Sequence, residues 1–182
     1  MATRPVRLFG DPVLRQRAPE VVDFDRQLRR LVRDLDDTLY EARGAGLAAT
    51  QLGVLQRVFV WHTEDTEGHI VNPVLEFPDD EIQDGEEGCL SMPGLYFDTK
   101  RRRNVVARGS DMHGRPLQVV GRGLLARALQ HETDHLDGVL FIDHLDVEAR
   151  KAAMKAIREA EWNGDALPPI ELSPHAVRGP LS

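Results

Sequence analysis

Only one cysteine, Cys89, occurs in the 182 residues. An internal disulfide is therefore excluded, and a lone free thiol is the pattern of a reducing compartment. No run approaches the roughly 18 apolar residues of a membrane span. The stretch from Met1 to Phe9 lacks the unbroken apolar region of a secretory signal. These absences predict a cytoplasmic protein with no membrane partner. Positive charge is also in deficit. Lys and Arg total 23 against 30 Asp and Glu, a net charge of -7. That balance sets a general nucleic-acid-binding role aside and leaves open only local basic patches. Internal repeats and low-complexity tracts are missing too.

What is present fits a soluble globular chain: 41% hydrophobic and 29% charged residues. The length predicts one domain, large enough to bury an apolar core without disulfide staples. We expect that domain over residues 1–163, followed by a loosely ordered tail, 164–182, holding Pro168, Pro169, Pro174 and Pro180.

Residues 1–22, with Pro5, Gly10, Pro12 and Pro19, predict an irregular lead-in. Phe24, Leu28, Leu31, Val32, Leu35 and Leu39 then recur at helical spacing, with Asp23 as the expected N-cap and Gly44 as the stop. Residues 44–53 are small and Gly-rich and read as a connection. Short β-like runs follow at 57–62, 69–77, 88–91, 104–110 and 117–120, the last two joined through a turn at His113–Pro116. A second helix is expected over 123–136, a short strand over 139–142 and a third helix over 146–162. The class is α+β: antiparallel strands around a central helix, with a C-terminal helix.

The strongest local signal is His131-Glu132-Thr133-Asp134-His135. On a helix, positions i and i+4 share a face, so both imidazoles can reach one ion. Glu132 is turned aside from that pair but stays close to the ion's open coordination position, which is the H-E-x-x-H arrangement of metal hydrolases. A catalytic site needs a third protein ligand. No third His follows, since Leu136-Asp137-Gly138-Val139 continues differently. Upstream stands Glu87-Gly88-Cys89-Leu90-Ser91, whose thiolate suits a transition ion beside imidazole, although a lone Cys is also commonly a small buried hydrophobe. A third segment, Gly44-Ala45-Gly46-Leu47-Ala48-Ala49-Thr50-Gln51, lets backbone approach a ligand closely and brings an amide donor in Gln51. Taken alone, that segment is equally a flexible connection.

In this order and at these separations, the three segments resemble the peptide deformylase family, whose pattern is G-x-G-L-A-A-x-Q, E-G-C-L-S and Q-H-E-x-x-H-x-x-G. Every defining position matches. Gly10-Asp11-Pro12-Val13-Leu14-Arg15, the Asn72-Pro73 pair and the run from Val105 through Gly114 extend the likeness across roughly residues 5–145. Beyond Leu145 the chain is similar to the variants found in actinobacteria. Tyr96 stands where some members carry an Arg, a departure that bears on substrate-backbone contacts.

The resemblance implies removal of the formyl group from the N-terminal methionine of nascent polypeptides, with release of formate. It implies one ion on Cys89, His131 and His135, with Fe(II) expected and Ni(II), Co(II) or Zn(II) as substitutes. Glu132 would carry the proton, and Gln51 with the backbone N–H of Leu90 would hold the developing oxyanion. Gly46 and Leu90 would offer backbone bonds to the formyl-methionyl peptide. Leu124 and Ala128 are pocket candidates for the methionine side chain, although core packing explains them equally well. Glu87 invites a partner among Arg101, Arg102 and Arg103, with Arg101 foremost; a solvated charge run is the alternative. His62, His69, His113, His144 and His175 show no ligand spacing and read as surface or packing residues.

Two other readings remain open at this point. A zincin-type endopeptidase would take Asp143 or Glu148 as its third ligand. A ribosome- or partner-binding protein would keep the metal for structure and dock through Arg150, Lys151, Lys155 and Arg158 on the C-terminal helix. Such a structural site would close its fourth position with protein and have no use for Glu132.

Overall fold

The computed structural model describes residues 3–163, so the expected Pro-rich tail lies outside the described residues. A five-stranded antiparallel sheet forms the frame: β1 (Gly46–Ala48), β2 (Val58–His62), β3 (Glu67–Glu76), β8 (Asn104–Ser110) and β9 (Pro116–Arg122), in that spatial order. Two small antiparallel pairs complete the strands. One joins β4 (Ile82–Gln83) to β7 (Arg101–Arg102), the other β5 (Glu86–Cys89) to β6 (Met92–Asp98). The helices are α1 (Arg26–Ala42), α2 (Leu124–Leu136) and α3 (Val147–Glu159).

Alternation along β2 explains how helices cover both faces. Val58 and Val60 join Leu28, Leu35 and Leu39 of α1 in one core cluster. Phe59 and Trp61 point the other way and pack with Ala126, Leu129 and Leu136 of α2. A period of two in the strand thus places α1 and α2 on opposite faces. A third cluster ties α3, through Ala153 and Ile157, to Cys89, Met92 and Phe141, and the Trp162 indole N–H donates to the Pro93 carbonyl at 3.0 Å. The C-terminal helix therefore braces the hairpin that carries the cysteine. Among the described residues, no helix is long and apolar enough to cross a membrane.

Several local expectations shift. The cap of α1 is Asp25 and not Asp23: its carboxylate accepts from the Gln27 and Leu28 N–H groups at 2.8 and 2.9 Å. Phe24 lies before the cap and packs on the core. Gly44 follows Arg43, which takes the left-handed conformation that ends the helix. The expected strand over 139–142 is instead a 3-10 turn, Phe141–Asp143, because the Asp143 carboxylate accepts from the Leu140 N–H at 2.9 Å and bends the chain. Pro12–Arg15 forms another such turn in the lead-in. The Gly-rich connection contains β1, whose Leu47 and Ala48 are fully buried opposite Val60 and Phe59.

Candidate metal centre

α2 runs under β1 and beside the β5–β6 hairpin, and this arrangement assembles the site. One turn separates His131 from His135, whose rings lie 4.9 Å apart, centroid to centroid. Cys89 ends β5 at a register shift in its pairing with β6, with its sulfur 3.1 Å from His135 Nε2. Ligand atoms of Cys89, His131 and His135 lie within 4.8 Å of one another, and all three residues are buried. Thiolate and imidazole together form a donor set for Fe(II), Co(II), Ni(II) or Zn(II). Burial, followed by the charge of His131, holds the His135 imidazole well below its ordinary pKa and so neutral, the state a ligand requires. In His131 burial also lowers the pKa, but hydrogen bonds with Cys89 and Glu87 outweigh it and hold the ring well above its ordinary value, so an ion bound there would displace a proton. The residues fit a divalent ion.

The surroundings orient these donors. His131 Nδ1 donates to Glu87 Oε1 at 2.7 Å, which directs its other nitrogen to the cluster. Its ring stacks on Phe141 at 6.2 Å. Glu87 is fully buried between Arg101 and Arg127. Burial alone would raise its pKa; hydrogen bonds from His131 and Arg101 outweigh that and hold it well below the usual carboxylate range. Arg101 also bonds Asp134, which in turn meets His144 at 2.7 Å, so His144 belongs to this ion network.

Glu132 is 2% exposed, and its Oε2 has no hydrogen-bond partner. Burial pushes its pKa up to about 7, the nearby His131 charge opposing and Glu87 adding. Gln51 follows β1 on a 3-10 turn. Its Oε1 accepts from the Ala48 N–H at 2.9 Å, while Nε2 faces the Cys89 sulfur at 3.5 Å and Ser91 Oγ at 3.2 Å. The Ser91 N–H also points at that sulfur, at 3.4 Å.

A cavity opens beside this cluster. Gly46, Gln51, Cys89, Leu90, His131 and Glu132 line it, together with Glu87, Ala128 and Arg127. Leu124 does not: it opens α2 on the same helical face as His131 but seven residues away, about 10 Å along the axis. Neither Asp143 nor Glu148 joins the donor cluster. Asp143 pairs with Arg15 and Arg150, and Glu148 is exposed beside Lys151. That removes the zincin ligand set among the described residues.

Arg127 and Asp134 were not singled out from sequence. The signal for Arg127 was available, since an arginine one turn before His131, flanked by Ala126, Ala128 and Leu129, is out of place on a buried face.

Comparison with known proteins agrees with this geometry. The model of the polypeptide deformylase family matches residues 3–151. A peptide deformylase of Parafrankia sp. is 57% identical over 98% of this chain and 98% of its own. One from Acidothermus cellulolyticus is 56% identical over the same shares. Among solved structures, the peptide deformylase of Legionella pneumophila superposes with a TM-score of 0.80 at 39% identity, covering 87% of this chain and 95% of that one. The chain thus belongs to the peptide deformylase family, metal-dependent hydrolases that remove the N-terminal formyl group from nascent polypeptides.

Proposed function

We propose that Cys89, His131 and His135 hold one divalent ion and that Glu132 moves the proton during formamide hydrolysis. The observation that carries this reading is the convergence of three buried donors beside a buried carboxyl with one unpartnered oxygen. When bound, the ion supplies Lewis acidity, polarising the formyl carbonyl and lowering the pKa of water from about 16 toward about 7.

Glu132 Oε2 takes one proton from the attacking water. As the carbon–nitrogen bond breaks, the same oxygen returns that proton to the departing amine, leaving formate and a free N-terminus. A carboxyl pKa of about 7 suits both halves of this transfer near neutral pH. Gln51 Nε2 and the Leu90 backbone N–H donate to the oxygen on which charge develops. Backbone groups of Gly46 and Leu90 bind the peptide, and Ala128 walls the methionine side chain with Leu124 farther out.

Fe(II) is the proposed physiological ion, with Ni(II), Co(II) and Zn(II) as working substitutes. A thiolate ligand oxidises readily, so the ferrous form needs a reducing cytoplasm. The exposed face of α3, with Arg150, Lys151, Lys155 and Arg158, is the proposed contact with the ribosome. Part of its charge is already engaged, by Asp143, Glu148 and Glu159.

The test is formate release from formyl-Met-Ala-Ser by anaerobically purified protein, with metal content measured alongside. The native chain is expected to release formate, and Glu132→Gln to lose at least about 100-fold of that rate while keeping its metal. A Glu132→Gln variant with native turnover would remove Glu132 as the proton carrier.

A further inference from the structure

Four donors converge on the carboxylate of Glu87. Oε1 accepts from His131 Nδ1 at 2.7 Å and Arg101 Nη2 at 2.6 Å; Oε2 accepts from Arg101 Nε at 3.0 Å and Arg127 Nη1 at 2.7 Å. Arg127 is only 4% exposed, and the same Nη1 donates to the Thr99 carbonyl at 2.8 Å. We propose that Arg127 is a positioning residue for metal binding. By holding Oε2 of Glu87 it keeps Oε1 on His131 Nδ1, and so fixes the ring with its other nitrogen turned toward Cys89 and His135.

Arg101 does not suffice for this. Its guanidinium is divided, because Nη1 donates to Asp134 at 2.6 Å while the rest of the fork grips Glu87. Any movement of Asp134 or His144 therefore pulls on Glu87 through Arg101. Arg127 is anchored instead to a backbone carbonyl next to β7, so it restrains Glu87 from a second direction. Without Arg127, Oε2 of Glu87 keeps only the 3.0 Å bond from Arg101 Nε. The carboxylate is then free to rotate, and rotation takes Oε1 off His131 Nδ1. Partners that orient metal-binding histidines commonly contribute about 10- to 100-fold in metal affinity.

The inference rests on His131 as a ligand. Its test uses metal-free protein for proton NMR of the His131 Nδ1–H held by Glu87, and a cobalt(II) titration against a chelator. Arg127→Gln is expected to weaken cobalt binding at least about tenfold and to lose the exchange-protected Nδ1–H signal. Arg127→Lys, which still donates to Glu87, is expected to retain both. In a Glu87→Gln background Arg127→Gln should add no further loss, since the effect runs through that carboxylate. Cobalt binding within about twofold of native or an unchanged Nδ1–H signal in Arg127→Gln would overturn the proposal, as would an equal additional loss in the Glu87→Gln background. Should Arg127→Gln not fold, loss of the protected signal in folded Arg127→Lys would overturn it and its retention would support it. If His131→Ala keeps its cobalt, the ligand reading fails instead.

Discussion

Gly46 and Glu132 face each other so closely that a Cβ on Gly46 would lie 2.7 Å from Glu132 Cγ and 2.8 Å from Cδ. The glycine is thus required by space rather than by backbone conformation. Because the atoms in the way belong to the proposed proton carrier, a side chain at 46 displaces that group specifically. Gly46→Ala is expected to lower turnover by about 100-fold with metal content unchanged, the loss typical of a misplaced general base. Steady-state kinetics with metal analysis checks this; native turnover would show that Glu132 need not occupy its present position.

Gln51 is held at both ends, Oε1 by the Ala48 N–H and Nε2 beside the cysteine sulfur. Removing one oxyanion donor commonly costs about 3 kcal/mol of transition-state stabilisation. Gln51→Ala is therefore expected to lower kcat at least about tenfold with the metal retained. Unchanged turnover would take Gln51 out of the mechanism.

Arg101 and Glu87 form a buried pair, 5% and 0% exposed. Breaking such a pair from one side commonly costs about 3–5 kcal/mol, because the remaining charge is stranded. Arg101→Ala is expected to lower the unfolding midpoint and to weaken metal binding by about tenfold or more. Thermal melts and chelator competition measure the two effects. If both stay native, the pairing has no functional weight.

The site was legible in the sequence wherever a short-range spacing decides the geometry. His131 and His135 share a helix face because four residues make about one turn, and α2 ends one residue past His135. Cys89 has no spacing rule that links it to His131, 42 residues downstream. Its meeting with the histidines depends on how the β5–β6 hairpin packs, and family resemblance was the guide to it. The third helix was legible from its Ala, Arg, Lys and Glu content; Asp146 caps it, and it ends at Glu159, short of the expected 162. β1 was hidden by its glycine-rich setting, since its pairing with β2 is a tertiary fact that three residues do not announce. Arg127 was overlooked although Ala126, Ala128 and Leu129 around it mark a buried face. Its partner Glu87, 40 residues upstream, is the part that no short-range spacing announces.

Asp143 offers a test of stability against pH. Burial would raise its pKa, but the bonds from Arg15 and the Leu140 N–H, with the charges of Arg15 and Arg150, outweigh that and hold it below the usual aspartate value. A folded-state pKa depressed in this way stabilises the fold above the unfolded value and loses that contribution as pH falls through the folded one. The native unfolding midpoint is expected to drop on going from about pH 5 toward pH 3 more steeply than that of Asp143→Asn. Parallel slopes would show that the Arg15–Asp143 link contributes nothing.

The most direct test of the metal assignment is X-ray absorption at the metal edge of the zinc- or iron-loaded protein. The expected spectrum has one sulfur neighbour at about 2.3 Å and two imidazole nitrogens at about 2.0–2.1 Å, the distances given for zinc, plus a light-atom scatterer from solvent. A spectrum without sulfur, or one requiring a carboxylate or a third imidazole, would contradict it.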